Sequence, residues 1–436
     1  MTTLFVSCIV AVSLGGAPEV VDVLDVAPVW AGHPVSFCLL THPPHQFAAF
    51  YDAEQTMTVA QRRLDSGEWT FTKLPEQIGW DSHNYITMTV DERDHLHLSG
   101  NMHVDPLVYF RTTEPLNAAS LERVEHMVGT EEDRTTYPKF FRGPKGRLLF
   151  TYRDGSSGKG NQIYNVYDPE TRTWRRLLDT PLIDGEGQRN AYLNGPMPGP
   201  DGFWHLAWVW RMTFDCATNH YPCYARSRDL KHWEKSDGTP LELPVTFDTA
   251  EVVDRVPQGG GIINGNVRLG FGLEGRPIVS YHKYDADGNT QIYNARAENG
   301  GWTVYCASDW DFRWDFSGGG SIDFEVRVGG VREENGALVQ TVSSRKYGRR
   351  KWRLDPDTLR FAEQLELPPP STPAALRQVK SDFPGMQMRM AHGAGSSGEA
   401  GVSYVLRWET LGRNRDRPRP KPWPEPVMLR LYKLKR

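Results

Sequence analysis

The segment His95–Asn101 (HLHLSGN) alternates apolar and polar side chains, follows an Asp turn and ends in polar residues. Alternation with a period of two marks a strand with one buried face, and the polar turn sets where it begins. The same unit returns in Phe47–Ala53 (FAAFYDA), Arg147–Arg153 (RLLFTYR), Phe203–Arg211 (FWHLAWVWR), Arg276–Lys283 (RPIVSYHK), Ala337–Ser344 (ALVQTVSS) and Ala400–Trp408 (AGVSYVLRW). These strands recur at intervals of roughly 50–75 residues, close to the period of a propeller blade. Between them, Gly67–Phe71, Thr171–Leu177, Asp229–Lys235, Gly300–Val304 and Arg349–Leu354 each place a Trp after a polar turn. A blade that packs face to face on its neighbour needs such an aromatic. Long stretches of 3.6-residue periodicity are missing, and Ala118–Met127 is the candidate for a short helix. The expected fold is all-β, a seven-bladed β-propeller.

The chain divides into residues 1–19, an N-terminal tail or weak signal-like segment, and residues 20–436, a single propeller domain. The apolar run Leu4–Val12 has no basic residues before it, so the signal-peptide reading and the ordinary-strand reading both stand. Val20–Val26 and Val427–Leu434 are both strand-like, and the ends of the chain are expected to share the last blade and close the ring. The Pro- and Arg-rich run Arg413–Pro426 reads as a solvated loop before that closing strand. A formal net charge of −4 over 436 residues gives no reason to expect a nucleic-acid or anionic-membrane partner. No segment is long and apolar enough to span a bilayer as a helix. The five cysteines are odd in number and scattered, which is not a disulfide framework, although a Cys216–Cys223 bridge stays open.

Polar residues at the ends of propeller strands converge on the mouth of the central channel. Asp81-Ser82-His83-Asn84-Tyr85 and Asn101-Met102-His103 flank one recurring strand; Thr136-Tyr137-Pro138 and Tyr152-Arg153-Asp154-Gly155 flank the next. Two His, one Tyr and one Arg thus fall on adjacent blades. This set suits β-elimination at a uronic acid. Arg153, helped by a His, would neutralise the carboxylate and stabilise the enolate-like transition state. A His or Tyr would take the C5 proton, and Tyr137 would return one to the leaving oxygen. Each residue taken singly is equally a satisfied structural group. His282 and Lys283, and Arg313 in the loop Asp311–Phe316, are candidate sugar contacts. Cys216, His220 and Cys223, with His205 or His282, resemble a metal-ligand set without standard zinc spacing. His392, ahead of the last recurring strand, is a candidate for a weakly held ion.

The motifs Trp80–Tyr85 (WDSHNY), Leu98–His103 (LSGNMH), Thr136–Pro138 (TYP), Tyr152–Gly158 (YRDGSSG), Thr218–His220 (TNH) and Tyr281–Asp285 (YHKYD) together resemble the BNR-type seven-bladed propeller polysaccharide lyases. Trp30–Val35 (WAGHPV), Asn161–Tyr167, Gly261–Asn264 and Trp310–Phe316 resemble, within that group, the lyases that release a rhamnose cap from glucuronic acid in gum arabic and arabinogalactan. The resemblance implies a catalytic set of His83, His103, Tyr137 and Arg153. It implies Tyr192, Arg211 and His282 as substrate contacts, beside the candidate contact Asn84, and a structural calcium in the channel near His392, with no cofactor needed for the chemistry. The expected partner is a rhamnose-capped, glucuronate-containing glycan, met by a monomer in an extracellular or periplasmic setting. Related propellers are α-L-rhamnosidases that hydrolyse the same linkage from the opposite face with a His in a Gly-His-Pro-Val context, which points to His33, assisted by Gln258. A non-catalytic glycan-binding propeller is the third reading, since fold alone does not decide function.

Overall fold

A computed structural model describes residues 17–298 and 300–436, and these form seven sheets whose main strands pair antiparallel. Blade 1 holds Cys38–His42, His45–Tyr51, Thr56–Arg63 and Thr70–Gln77; blade 2 holds Ile86–Val90, Leu96–Gly100, Tyr109–Thr112 and Leu121–Arg123. Blade 3 holds Thr135–Arg142, Leu148–Ser156, Lys159–Asp168 and Thr173–Arg176; blade 4 holds Asn190–Pro198, Trp204–Arg211, Asn219–Ser227 and Trp233–Glu234. Blade 5 holds Arg268–Phe271, Pro277–Tyr284, Thr290–Glu298 and Gly301–Cys306; blade 6 holds Val326–Val328, Ala337–Ser344, Gly348–Leu354 and Phe361–Leu365. Blade 7 joins Met386–His392, Val402–Leu411 and Val427–Lys435 to the N-terminal strand Glu19–Val29. The molecule is a seven-bladed β-propeller. Glu19 lies opposite Lys435 and Val29 opposite Val427, so the two ends of the chain zip the ring shut. No helix among the described residues is long and apolar enough to cross a membrane.

The seven recurring strands are the second strand of every blade, one step removed from the channel. They stand out in the sequence because neighbouring strands pair on both sides of them and blades pack on both faces. Two of them show how the unit is built. In blade 2, His97 places Nδ1 2.7 Å from the Tyr109 hydroxyl and Nε2 3.2 Å from Asp91 in the preceding turn. In blade 4, His205 repeats this with Tyr224 at 2.6 Å and Asp201 at 2.9 Å. A buried imidazole with both nitrogens engaged satisfies the polar groups that the tight turn brings inside. His205 is therefore a pin between strands and not a zinc ligand.

Four of the five outer Trp signals fall at or just before the outermost strand; Trp352 lies on the third strand of blade 6, stacked on Phe361 at 5.0 Å. The expected helix at Ala118–Met127 is a single 3-10 turn, Ala118–Ser120, followed by the short strand Leu121–Arg123. Blade 7 meets blade 1 through Trp408, 2% exposed, whose ring stacks on Phe37 at 4.4 Å. Truncating a buried Trp removes its transfer energy and leaves a cavity. Trp408→Ala is expected to lower unfolding free energy by about 3–5 kcal/mol in a urea titration, and a loss under about 1 kcal/mol would show that this seam does not hold the ring.

Candidate active site

In a propeller, the segments entering the first strand and those leaving the second lie at the same mouth. Here they surround a cavity of about 370 Å³ walled by His83, His103, Tyr137, Tyr192, Arg211 and Arg413, with Ser82, Asn264 and the loop Gly319–Phe324 completing it. One carboxylate organises one side of this cavity. Asp81 takes His83 Nδ1 on one oxygen and His103 Nδ1 on the other, each at 2.5 Å. The two imidazoles stack with centroids 4.0 Å apart. Burial pushes the Asp81 carboxyl up, but the two imidazole hydrogen bonds win and hold it well below the usual carboxylate range. With Nδ1–H donated to Asp81, each ring keeps Nε2 as a proton acceptor.

Backbone strain aims these groups. Tyr137 has φ 62°, inside a bulge where pairing with the next strand shifts between Thr136 and Lys139. Bulges re-aim side chains, and a left-handed bulky residue is held there only by its surroundings. Val104, beside His103, has φ 68°, rarer still for a β-branched residue. The Tyr137 ring lies 5.5 Å from that of His83 and 6.0 Å from that of Tyr192. Arg153 sits under Tyr137, 5.1 Å from its ring, donating to Thr136 Oγ1 and Gly155 O while its buried Nη1 has no protein partner. Arg211 lies 5.5 Å from the Tyr192 ring and approaches the Tyr192 hydroxyl at 3.4 Å. Burial pushes the Tyr137 phenol up. At Tyr192 burial acts the same way, but the charges of Arg211 and Arg153 outweigh it and the phenol is pulled below its ordinary value. The YRDGSSG turn needs glycine at Gly158, φ 81°, where a Cβ would meet Met212 O at 2.4 Å.

A second carboxylate, unforeseen from the sequence, ties together the loops behind the His83 side. Asp416 accepts from Ser82 N at 3.1 Å and from Ser321 N and Oγ at 2.8 and 2.9 Å, and it lies 3.3 Å from His33 Nε2 and 3.7 Å from His83 Nδ1. Burial raises its carboxyl, yet the bonds from His33 and Ser82 carry it well below the usual range. Arg415 donates to Ser317 O and Gly319 O, and Trp423 packs on Trp80 at 5.2 Å. The run Arg413–Pro426 is thus partly built into the mouth and is not merely a solvated loop.

The other expected site residues fall elsewhere. Asn84 is buried against Asn101 at 2.8 Å and supports the His83 loop from below. His282 is fully buried against Trp314 and Phe316, and burial lowers it to about 3, so it is no sugar contact. Lys283 is tied to Asp254 at 2.5 Å, and Arg313 covers the Tyr284 ring at 3.6 Å; neither lines the cavity. His33, 1% exposed, enters the first strand of blade 1 as His83 enters that of blade 2, so it belongs to the same mouth and not to an opposite face. Gln258 is exposed on a turn before blade 5, also on the His83 side. His392 ends the first strand of blade 7, at the far mouth, exposed and outside any cluster of ligating groups. Among the described residues the cluster that could hold a metal is Asp81, His83 and His103. Its nitrogen-rich set does not suit calcium, which wants six or more oxygens. Cys38, Cys216, Cys223 and Cys306 are free thiols, so no Cys216–Cys223 bridge exists; Cys8 lies outside the described residues.

The ring of seven blades encloses a polar axial cavity lined by imidazoles, phenols and guanidiniums. The chain belongs to the BNR repeat-containing family, whose model matches residues 45–310. It is 26% identical over 161 residues to the short-isoform ulvan lyase of Alteromonas sp. (strain LOR), covering 32% of this chain and 30% of that protein. It is 35% identical over 74 residues to the long-isoform ulvan lyase of Pseudoalteromonas sp. (strain PLSV), covering 15% of this chain and 7% of that one. The matches therefore span under a third of these curated relatives. The polysaccharide lyase Uly1 superposes with a TM-score of 0.59 at 14% identity, over 96% of this chain and 99% of that one. An ulvan lyase solved with -[GlcA(1-4)Rha3S]- gives 0.53 at 11% identity, over 89% and 96%. At these identities the structures support the fold.

Asp81 and Asp416, with depressed folded values, stabilise the fold above the ordinary carboxylate pKa of about 3.9, and that contribution is lost as pH falls below it. Asp416→Asn is expected to flatten the acid limb of a Tm-against-pH profile, which would stay as steep as wild type if Asp416 were a bystander.

Proposed function

We propose that the chain is a polysaccharide lyase that cleaves by β-elimination at glucuronate, acting on terminal L-rhamnose-α-1,4-D-glucuronate linkages of arabinogalactan or gum arabic type. The observation that carries the elimination chemistry is the Asp81 clamp. It orients two imidazoles with free Nε2 atoms toward a cavity that also holds a protonated phenol and a guanidinium. Arg211, in the wall, with Arg153 behind Tyr137, supplies the positive field that lowers the acidity barrier at C5 by stabilising charge on the uronate carboxylate. A His Nε2 takes the C5 proton. Tyr137, kept protonated by burial, gives a proton to the leaving O4. Tyr192, displaced to lower pKa, is the second candidate base, and paired groups pushed apart in this way mark acid and base roles. The glucuronate–rhamnose chain held by the solved ulvan lyase supports the sugar class; the motifs around His33 and Trp310–Phe316 support the rhamnose-cap variant.

The hydrolytic reading through His33 is disfavoured by its burial behind Asp416, where it reaches no cavity. Mass analysis of gum arabic products decides between them: both reactions release free rhamnose, but elimination leaves an unsaturated, ultraviolet-absorbing uronate lighter by one water, and hydrolysis leaves a saturated glucuronate. Binding without either product would instead mark a glycan-binding propeller. His103→Ala and Tyr137→Phe are expected to abolish the absorbing product, and full activity in both would overturn the assignment. Asp81→Asn, which fixes the wrong tautomer without removing the imidazoles, is expected to lower kcat by about 10²–10⁴-fold with little change in KM; unchanged kcat would remove Asp81 from the machinery.

A further inference from the structure

The strands that border the channel have one sign of charge. The first strands of the seven blades read CLLTH, ITMTV, TTYPKFFR, NAYLNGPMP, RLGF, VRV and MQMRMAH. They carry Lys139, Arg142, Arg268, Arg327 and Arg389 and no Asp or Glu, in a chain whose net charge is −4. Arg142 leaves the set by pairing with Glu92. Arg268, Arg327 and Arg389 do not. They lie on consecutive blades 5, 6 and 7, and among the described residues none of them forms a salt bridge, whereas most other arginines do so or donate to several carbonyls. Arg389 donates to Gln387 at 3.2 Å, but its Nε is buried without a partner; Arg327 rests 5.4 Å from the Phe324 ring. Arg413, in the cavity wall above, donates to Ile322 O and has only the exposed Asp323 near it, at 4.0 Å. Asp105, on the short strand added at the blade 3 edge, is exposed at the mouth and accepts from its own His103 N–H at 2.9 Å. Burial and then neighbouring guanidinium charges lower Arg268, Arg327 and Arg389, and the exposed Asp323 carboxylate only partly opposes this at Arg327 and Arg389.

Guanidiniums without a salt-bridge partner on three neighbouring strands, half-buried at Arg268 and Arg389 and exposed at Arg327, repel one another, and an anion among them relieves that repulsion. Planar guanidinium forks match oxyanions in particular. We propose that the channel side of blades 5–7 is an oxyanion-binding site formed by Arg268, Arg327 and Arg389, with Arg413 above them, distinct from the Asp81–His83–His103 side of the mouth. Two sources share the required chemistry: a free inorganic oxyanion and an acidic group of a bound glycan.

Inorganic sulfate is the probe. In thermal unfolding of the full chain at fixed ionic strength, sodium sulfate is expected to raise Tm saturably, by several degrees, over matched sodium chloride. Arg327→Gln/Arg389→Gln is expected to lose that rise and, in sulfate-free buffer, to melt no lower than wild type, because repulsion is relieved. Arg268→Gln alone is expected to weaken the response. No saturable rise in wild type, or an undiminished rise in the double variant, would overturn the proposal. So would a double variant that unfolds in sulfate-free buffer, since the arginines would then be structural supports. With the site present, sulfate that raises KM for the glycan at constant kcat assigns it to a glycan acidic group, and unchanged KM assigns it to a free ion.

Discussion

A ring of sheets exists only if its last sheet is shut. Here the antiparallel register from Glu19–Lys435 to Val29–Val427 does this, and everything at the axis depends on it. Closure removes the free edges that an open row of blades would present. It also fixes the loop that follows Glu19–Val29, with Trp30 and His33, against the loop Arg413–Pro426. Asp416 can reach Ser82, Ser321 and His33 together only because blades 7, 1, 2 and 6 are locked at one radius.

The mouth is then an arrangement of two carboxylates. Asp81 holds two imidazoles by their Nδ1 atoms, while Asp416 ties the surrounding loops together behind them. Neither anion is offered to the cavity as a free acceptor; each is consumed by donors of the protein. What faces the cavity is imidazole Nε2, phenol and guanidinium. That combination repels no anionic sugar and supplies both proton acceptor and donor. Close approach of loops makes the arrangement stiff: at Gly320, φ 74°, a Cβ would lie 2.2 Å from Arg415 O.

Much of this was legible in the sequence, for identifiable reasons. The second strands show because they are flanked and covered on all sides, which enforces a clean apolar pattern. The first strands do not, because RLGF and VRV are too short to show a period and one edge faces the channel. His83, His103 and Tyr137 were legible as polar residues at strand ends; Tyr192 entered as a plain contact, since its two guanidinium neighbours come from other strands. Asp81 stood inside the quoted WDSHNY, but its role requires two His separated by 20 residues in sequence to fall on one carboxylate. Asp416 was hidden in a Pro- and Arg-rich run whose composition resembles solvated loop. A carboxylate set directly between Arg415 and Arg417 is the available signal. His282 misled because strand alternation turns it inward, onto Trp314.

The zipper between first and last strands also sets a clock. The strand Glu19–Val29 leaves the ribosome before any of its partners, and the strand it needs, Val427–Lys435, comes after every other blade. For that whole interval its backbone donors and its valines, Val20, Val21 and Val23, which remain exposed even in the finished ring, are open to any other strand edge. Pairing across such a separation is slow to form. Until the seventh blade is complete, this strand is thus an edge of the future ring that a neighbouring chain can capture.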